Sequence, residues 1–217
     1  MNAERFVSTE NRKPKTENRK PKTENRKPKT ENRKPKTENR KPKIVKTLLD
    51  ENQLNSGVED LANQINKAYG NTPLTIVGVL TGSVVLMADL IRKLKMPLRV
   101  GVVQTSSYQG TERGRLTINS EMMLDITGRD VLLIDDIFDT GHTLAEVTQL
   151  MNDLGPTSLK SAVLLLKTGR QEVDWKPEFV AFDIPDEFVV GYGLDYNDEY
   201  RNLPYLACLE PADLPGS

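Results

Sequence analysis

The chain has 217 residues, enough for one ordinary domain and a tail, and no apolar run approaches the ~20 residues that cross a membrane. Its one cysteine, Cys208, excludes an internal disulfide; among apolar neighbours it reads as a small core residue, and a reducing cytoplasm is the expected location. The net charge of −1 joins two unlike parts: TENRKPK repeats five times without mismatch from Thr9 to Lys43, three basic residues and one acid per copy, so that block carries +10 and the chain from Ile44 onward −11.

The N-terminus has no apolar run behind a basic start, so no secretory signal is expected. The repeat block, within residues 1–43, is expected to be a disordered tail. It has no apolar residue with which to offset the entropy of ordering. Proline recurs at 14, 21, 28, 35 and 42, and each would break a helix. A seven-residue period invites a coiled coil, but no heptad position is apolar. A polycation arm for nucleic acid or acidic partners is the functional alternative. The plainer reading, a solvated tail, is preferred.

The folded domain is expected over residues 44–217. Residues 51–69 read as an amphipathic helix, with Leu54, Val58, Leu61, Ile65 and Ala68 at helical spacing. Thr75–Leu80 is a short, β-branched apolar run, hence a buried strand. Thr81-Gly82-Ser83 is a turn, and Val84–Leu94 reads as a helix. Leu98–Thr105 is another strand, and Ser106–Thr117 a polar, mobile loop. Val131–Ile134 is a buried strand, followed by a loop and a helix near Thr143–Leu154 that Gly155-Pro156 ends. Ser161–Leu166 and Phe179–Phe182 are further strands. Strands alternating with helices predict an α/β fold with a mostly parallel central sheet flanked by helices.

The sharpest local signal runs from Val131 to Leu144. An apolar strand leads into Asp135 and Asp136, then a loop of small residues, then a helix. Ligands of open α/β sheets bind beyond the carboxyl ends of the strands. Asp139-Thr140-Gly141-His142-Thr143 would sit at a helix N-terminus, where free N–H groups and the helix dipole bind phosphate. Gly141 allows close backbone approach, and the two threonine hydroxyls add donors. Asp135 and Asp136 suit ribose hydroxyls or a bound Mg²⁺. Turn and cap roles would explain a lone acidic pair; three acids, two threonines and a glycine within nine residues make that account much weaker. No GxxxxGK[ST] and no GxGxxG occurs. His142, the only histidine, is read as an exposed loop side chain, and no histidine or cysteine cluster exists to hold zinc.

The segment Val131–Leu144 resembles the phosphoribosyl-pyrophosphate motif of type I phosphoribosyltransferases. Lys167 closes the strand Ser161–Leu166, and Phe179 to Pro204 forms an aromatic, acidic, glycine-bearing stretch. An ordinary exposed lysine and a core aromatic are the bland accounts of Lys167 and Phe188. The long stretch, through Arg201-Asn-Leu-Pro-Tyr, is similar to the C-terminal signature of hypoxanthine-guanine phosphoribosyltransferases. The resemblance covers most of residues 44–210 and none of the repeats.

The resemblance implies a single α/β domain with a small hood subdomain made from both ends of the ordered chain. It implies Mg²⁺ as cofactor, phosphoribosyl pyrophosphate and a 6-oxopurine base as substrates, and a homodimer or homotetramer. Position by position, it makes Thr81-Gly82-Ser83 a pyrophosphate loop, where a non-proline cis peptide is typical. It makes Ser107-Tyr108 a pair in a flexible lid, and Asp135 and Asp136 the ribose-side and metal-side acids. Asp139 becomes the general base near the purine imidazole ring, with residues 140–143 the 5′-phosphate cradle. Lys167 would read the 6-oxo group, Phe188 would stack on the base, and Val189 would offer backbone contacts to its edge. Asp195 would be linked to Mg²⁺ and to the purine side, and Arg201 would bind pyrophosphate. Thr81 departs from the pattern, since many members carry Lys or Arg there; only the backbone role carries over. The rival expectations are a xanthine-preferring enzyme and a regulatory relative that binds nucleic acid and senses nucleotide.

Overall fold

The computed structural model describes residues 43–106, 117–118 and 124–210. The repeat block up to Pro42 and the pair Ser107-Tyr108 lie outside the described residues. In chain order the elements are β1 (Ile44–Leu49), α1 (Glu51–Tyr69), β2 (Leu74–Leu80), α2 (Val84–Ile91), β3 (Leu98–Ser106), β4 (Thr117–Ile118), β5 (Asp130–Phe138), α3 (His142–Asn152), β6 (Ser158–Lys167), β7 (Phe179–Ile184), β8 (Val189–Val190) and β9 (Leu206–Leu209).

The central sheet has the order β4-β3-β2-β5-β6-β7. Five strands are parallel, and β4 pairs antiparallel with β3 at one edge. Near-continuous aliphatic strands such as Leu132-Leu133-Ile134 suit a sheet covered on both faces. Alternate residues leave for opposite layers. Ile76, Leu132, Ile134 and Leu164 pack with α1 and α2. Val77, Val131, Leu133 and Val163 pack with Leu144, Val147 and Met151 of α3. A reciprocal cap starts α1: Gln53 N–H donates to Asp50 Oδ1 at 2.8 Å, and Asp50 N–H to Gln53 Oε1 at 2.9 Å. Such a cap stabilises a helix by about 1 kcal/mol.

A second sheet, β1-β9-β8, is antiparallel and joins the two ends of the described domain, as the hood was expected to do. Cys208 is buried there as a free thiol, its pKa pushed up to about 12, chiefly by burial and then by the Glu187 carboxylate.

Several element boundaries differ from the sequence-based expectation. Strand β5 extends past Ile134 through Asp135 and Asp136 to Phe138, because it keeps pairing with β6 as far as Phe138–Leu166. Helix α2 ends at Ile91 rather than Leu94, and α3 begins at His142 and ends at Asn152. Ser106 and Thr117 are strand residues rather than loop. Ala68 is exposed, while Ala62 and Tyr69 complete the buried face of α1.

Candidate active site

The chain winds outward from β2 to β3 and then returns to place β5 on the other side of β2. At such a reversal the loops beyond adjacent strand ends part and leave a crevice. A cavity of about 310 Å³ opens there. Its walls are the end of β2 with Thr81 and Gly82, the β5–α3 segment, and Asp195 and Arg201 from the hood.

The Leu80–Thr81 peptide is cis, as the resemblance implied for this loop. Gly82 is required by its neighbour: a Cβ on it would lie 1.7 Å from Asp136 Oδ2. Ser83 is fully buried, and its hydroxyl donates to the Val79 carbonyl at 2.5 Å, so its side chain is already committed inside the loop.

Asp135 and Asp136 enter the crevice from successive positions of β5. Asp136 N–H donates to Asp135 Oδ1 at 3.0 Å, and Ile137 N–H to Asp136 Oδ1 at 2.8 Å. Burial, and then the neighbouring Asp136 charge, hold the Asp135 carboxyl well above the usual carboxylate range. Burial also raises Asp136, against the opposing pull of hydrogen bonds and the Arg201 guanidinium. An acid pair kept costly to ionise gains most from a partner that supplies hydroxyl donors or positive charge.

Beyond β5, Gly141 forms the N-cap of α3 with φ of 91°, and a Cβ there would lie 2.5 Å from Val173 Cγ2. The first helical bond is Ala145 N–H to Gly141 C=O at 3.0 Å, so the preceding N–H groups are not used within the helix. Thr140, Gly141, Thr143 and Leu144 line the cavity at this end. His142 turns away: it is exposed at the start of the helix, and its Nε2 lies 2.8 Å from Glu172 Oε2. From the hood side, Arg201 donates through Nη1 to the Gly193 carbonyl at 2.8 Å and pairs through Nη2 with Asp195 Oδ1 at 2.8 Å.

A smaller cavity, about 190 Å³, shares Asp136, Ile137, Asp139 and Asp195 with the first. It is completed by Lys167, Phe188, Val189 and Leu194. Lys167 is only 8% exposed, unlike an ordinary surface lysine. Its Nζ sits 3.3 Å from Asp139 Oδ2 and 3.4 Å from Asp186 Oδ1. Arg170 closes a ring of alternating charge, with Nε 3.0 Å from Asp139 Oδ1 and Nη1 3.4 Å from Asp186 Oδ2. Phe188 is 39% exposed, and its ring stands edge-on to Tyr196 at 5.6 Å.

Two neighbouring chambers thus meet at Asp136 and Asp139. One suits an anion and a polyol, the other a flat, carbonyl-bearing group. Arg170 and Asp186 are site residues that the sequence reading does not contain. Asp186 follows the end of β7 and Lys167 ends the adjacent β6; parallel pairing of those strands is the signal that could have joined them. Among the described residues, no three His, Cys, Asp or Glu cluster so as to hold a metal by themselves, and no helix is long and apolar enough to cross a membrane.

Residues 45–197 match the family model of the phosphoribosyl transferase domain. A hypoxanthine-guanine phosphoribosyltransferase of Staphylococcus aureus is 41% identical over 168 residues, covering 76% of this chain and 94% of that one. A hypoxanthine phosphoribosyltransferase of Haemophilus influenzae is 41% identical over 167 residues, covering 75% of this chain and 93% of its own. The crystal structure of a hypoxanthine-guanine phosphoribosyltransferase from Bacillus anthracis superposes with a TM-score of 0.73. It is 37% identical, and the match covers 77% of this chain and 100% of that one.

Proposed function

Because the chain belongs to the phosphoribosyl transferase family, we propose that its two chambers bind phosphoribosyl pyrophosphate and a 6-oxopurine, and that it is a purine salvage enzyme making IMP, GMP or both with release of pyrophosphate. The observation that carries the base assignment is Lys167. A nearly buried ammonium has donors only, and it faces the chamber that ends in Phe188. It rewards a carbonyl oxygen and leaves an amino group facing a charge it cannot pair.

Each residue then takes a role its surroundings support. The N–H groups at the start of α3 and the Thr140 and Thr143 hydroxyls receive the 5′-phosphate. Asp135 and Asp136 accept from the ribose hydroxyls. Thr81 and Gly82, through the backbone, and Arg201, through its guanidinium, hold the pyrophosphate. Phe188 stacks on the base and Val189 borders its edge. The anomeric carbon loses pyrophosphate through a transition state of oxocarbenium character. Asp139, between the chambers, stabilises that charge and takes the proton leaving the imidazole ring of the base.

Asp135, Asp136 and Asp195 face one cavity without forming a closed cage. That donor set fits a hard cation bound by one or two carboxylates while keeping waters and substrate oxygens, hence Mg²⁺. When bound, Mg²⁺ would supply positive charge to the departing pyrophosphate. The Asp195–Arg201 ion pair orients both side chains toward that end of the cavity. The reading includes a cytoplasmic location, in keeping with the buried free Cys208, and a homodimer or homotetramer, checked by sedimentation.

Supplying phosphoribosyl pyrophosphate, Mg²⁺ and one base at a time tests the proposal. Hypoxanthine or guanine should yield nucleotide and pyrophosphate, and adenine and orotate essentially none. Ready turnover of adenine or orotate would contradict it; a preference for xanthine would correct only the choice of base.

A further inference from the structure

Arg170 and Asp186 line neither chamber, yet they complete the charged ring around Asp139 and Lys167. The two carboxylate oxygens of Asp139 are divided between two cations: Oδ2 to Lys167 and Oδ1 to Arg170. Asp186 is divided in the same way, with Oδ1 to Lys167 and Oδ2 to Arg170. The turn that carries Arg170 is itself fixed. Thr168 N–H donates to the Ile184 carbonyl at 2.9 Å, its hydroxyl to the same oxygen at 3.2 Å, and the Gln171 amide to the Lys167 carbonyl.

A 6-oxopurine carbonyl takes one of the three Lys167 N–H donors, and an Nζ that moves toward it lengthens contacts that are already long, 3.3 Å to Asp139 Oδ2 and 3.4 Å to Asp186 Oδ1. Asp139 then loses its contact at Oδ2, the oxygen that faces Lys167. A carboxylate with no second partner could rotate about its side-chain bonds. We propose that Arg170, braced by Asp186, is a positioning residue of the base site: its guanidinium holds Asp139 through Oδ1, so that when the base draws Lys167 away, Oδ2 is left free and aimed to receive the base's proton. The planar guanidinium spans two carboxylates with fixed geometry, which a flexible ammonium cannot do. The inference rests on the assignment of Asp139 and Lys167 under the proposed function.

The test is a double-mutant cycle on the single-turnover rate of nucleotide formation from hypoxanthine, with base and phosphoribosyl-pyrophosphate affinities measured alongside. Arg170→Gln should lower the rate about ten-fold while both affinities stay within about three-fold, since orientation and not binding is lost. Arg170→Lys should recover part of the rate. Asp186→Asn should lower the same step by less, and it carries the test if Arg170→Gln fails to fold. In an Asp139→Asn background, adding Arg170→Gln should cost almost nothing further, because the carboxylate that Arg170 aims is gone. Additive losses in that cycle, a rate within two-fold of the parent, or a fall in affinity that accounts for the whole loss would overturn the inference. A parent inactive with every 6-oxopurine would overturn the proposed function as well; an active parent with an indifferent Arg170 overturns this inference alone.

Discussion

The two chambers of the site are built by different means. The larger is shaped mainly by backbone, with Asp195 and Arg201 reaching in from the hood. Its acids sit on β5 itself, its anion end is the start of α3, and Gly82 is held against Asp136 so closely that no side chain fits between. The smaller is made of side chains from the ends of β5 and β6 and from the stretch around β8, backed by ion pairs whose members, Lys167 apart, are one-third to one-half exposed. Backbone geometry cannot be re-aimed without moving the sheet, whereas side chains can be exchanged singly. Changes in the first chamber should therefore damage every reaction alike, whereas in the second a change at Lys167 should redistribute activity among bases and loss of the Phe188 ring should weaken all bases together.

Asp139 stands where the chambers meet, and there the largest effect is expected. Asp139→Asn should lower turnover by about 100- to 10,000-fold with little change in phosphoribosyl-pyrophosphate affinity, as loss of a general base does. Turnover within a few-fold of the parent would reduce Asp139 to a loop cap. Gly82→Ala drives a methyl group into the Asp136 carboxylate. It should raise KM for phosphoribosyl pyrophosphate by about ten-fold or more, equally with every base; a loss that depended on the base would break the comparison.

Asp135 gives a pH-dependent effect of opposite sign on stability. Its folded-state pKa lies above the unfolded value, so between the two the folded state retains a proton that the unfolded state has released. Its contribution to stability therefore falls as pH rises through that interval. Each tenfold gain in proton affinity corresponds to about 1.4 kcal/mol lost by neutral pH. Asp135→Asn should accordingly raise the Tm of the unliganded chain by a few degrees at pH 7, with the gain vanishing near pH 4, while lowering turnover. Thermal unfolding across that range measures both. The smallest effect is expected from the repeat block. Removing residues 1–42, which leaves the Lys43 carbonyl to accept from Glu210 N–H, should keep kcat within about two-fold, while any nucleic-acid affinity disappears with the block's charge. Loss of turnover from a folded, truncated domain would give the tail a catalytic role.

The larger chamber is legible in the sequence because one segment carries most of it. Asp135 to Thr143 lies on consecutive residues, and an apolar strand followed by acids, a glycine and a helix is the pattern of a phosphate-binding strand end. The alternation of Ile76 with Val77 and of Leu132 with Leu133 likewise reads directly as a sheet covered on two faces. Residues 135 to 138 read differently in sequence and in structure: two acids suggest that the strand has ended, whereas its backbone continues to pair with β6. Arg170 and Asp186 are hidden for a related reason. They are sixteen residues apart, and only the parallel register of β6 and β7 makes them neighbours. Ser83 and His142 enter the expected site by position alone, and their partners inside the protein, Val79 and Glu172, are contacts that a sequence does not print.

The central claim, that Lys167 selects a base by its carbonyl oxygen, is tested most directly by one ratio: kcat/KM for hypoxanthine over kcat/KM for adenine, in the parent, in Lys167→Ala and in Phe188→Ala. A site that hydrogen-bonds a defining group can discriminate by about 10,000-fold or more, because the wrong substrate strands a buried polar group. The predicted result is a ratio of that order in the parent, a collapse of the ratio in Lys167→Ala through loss of hypoxanthine activity, and an unchanged ratio in Phe188→Ala, where both bases weaken together. A Lys167→Ala variant that keeps the parent's ratio would contradict it.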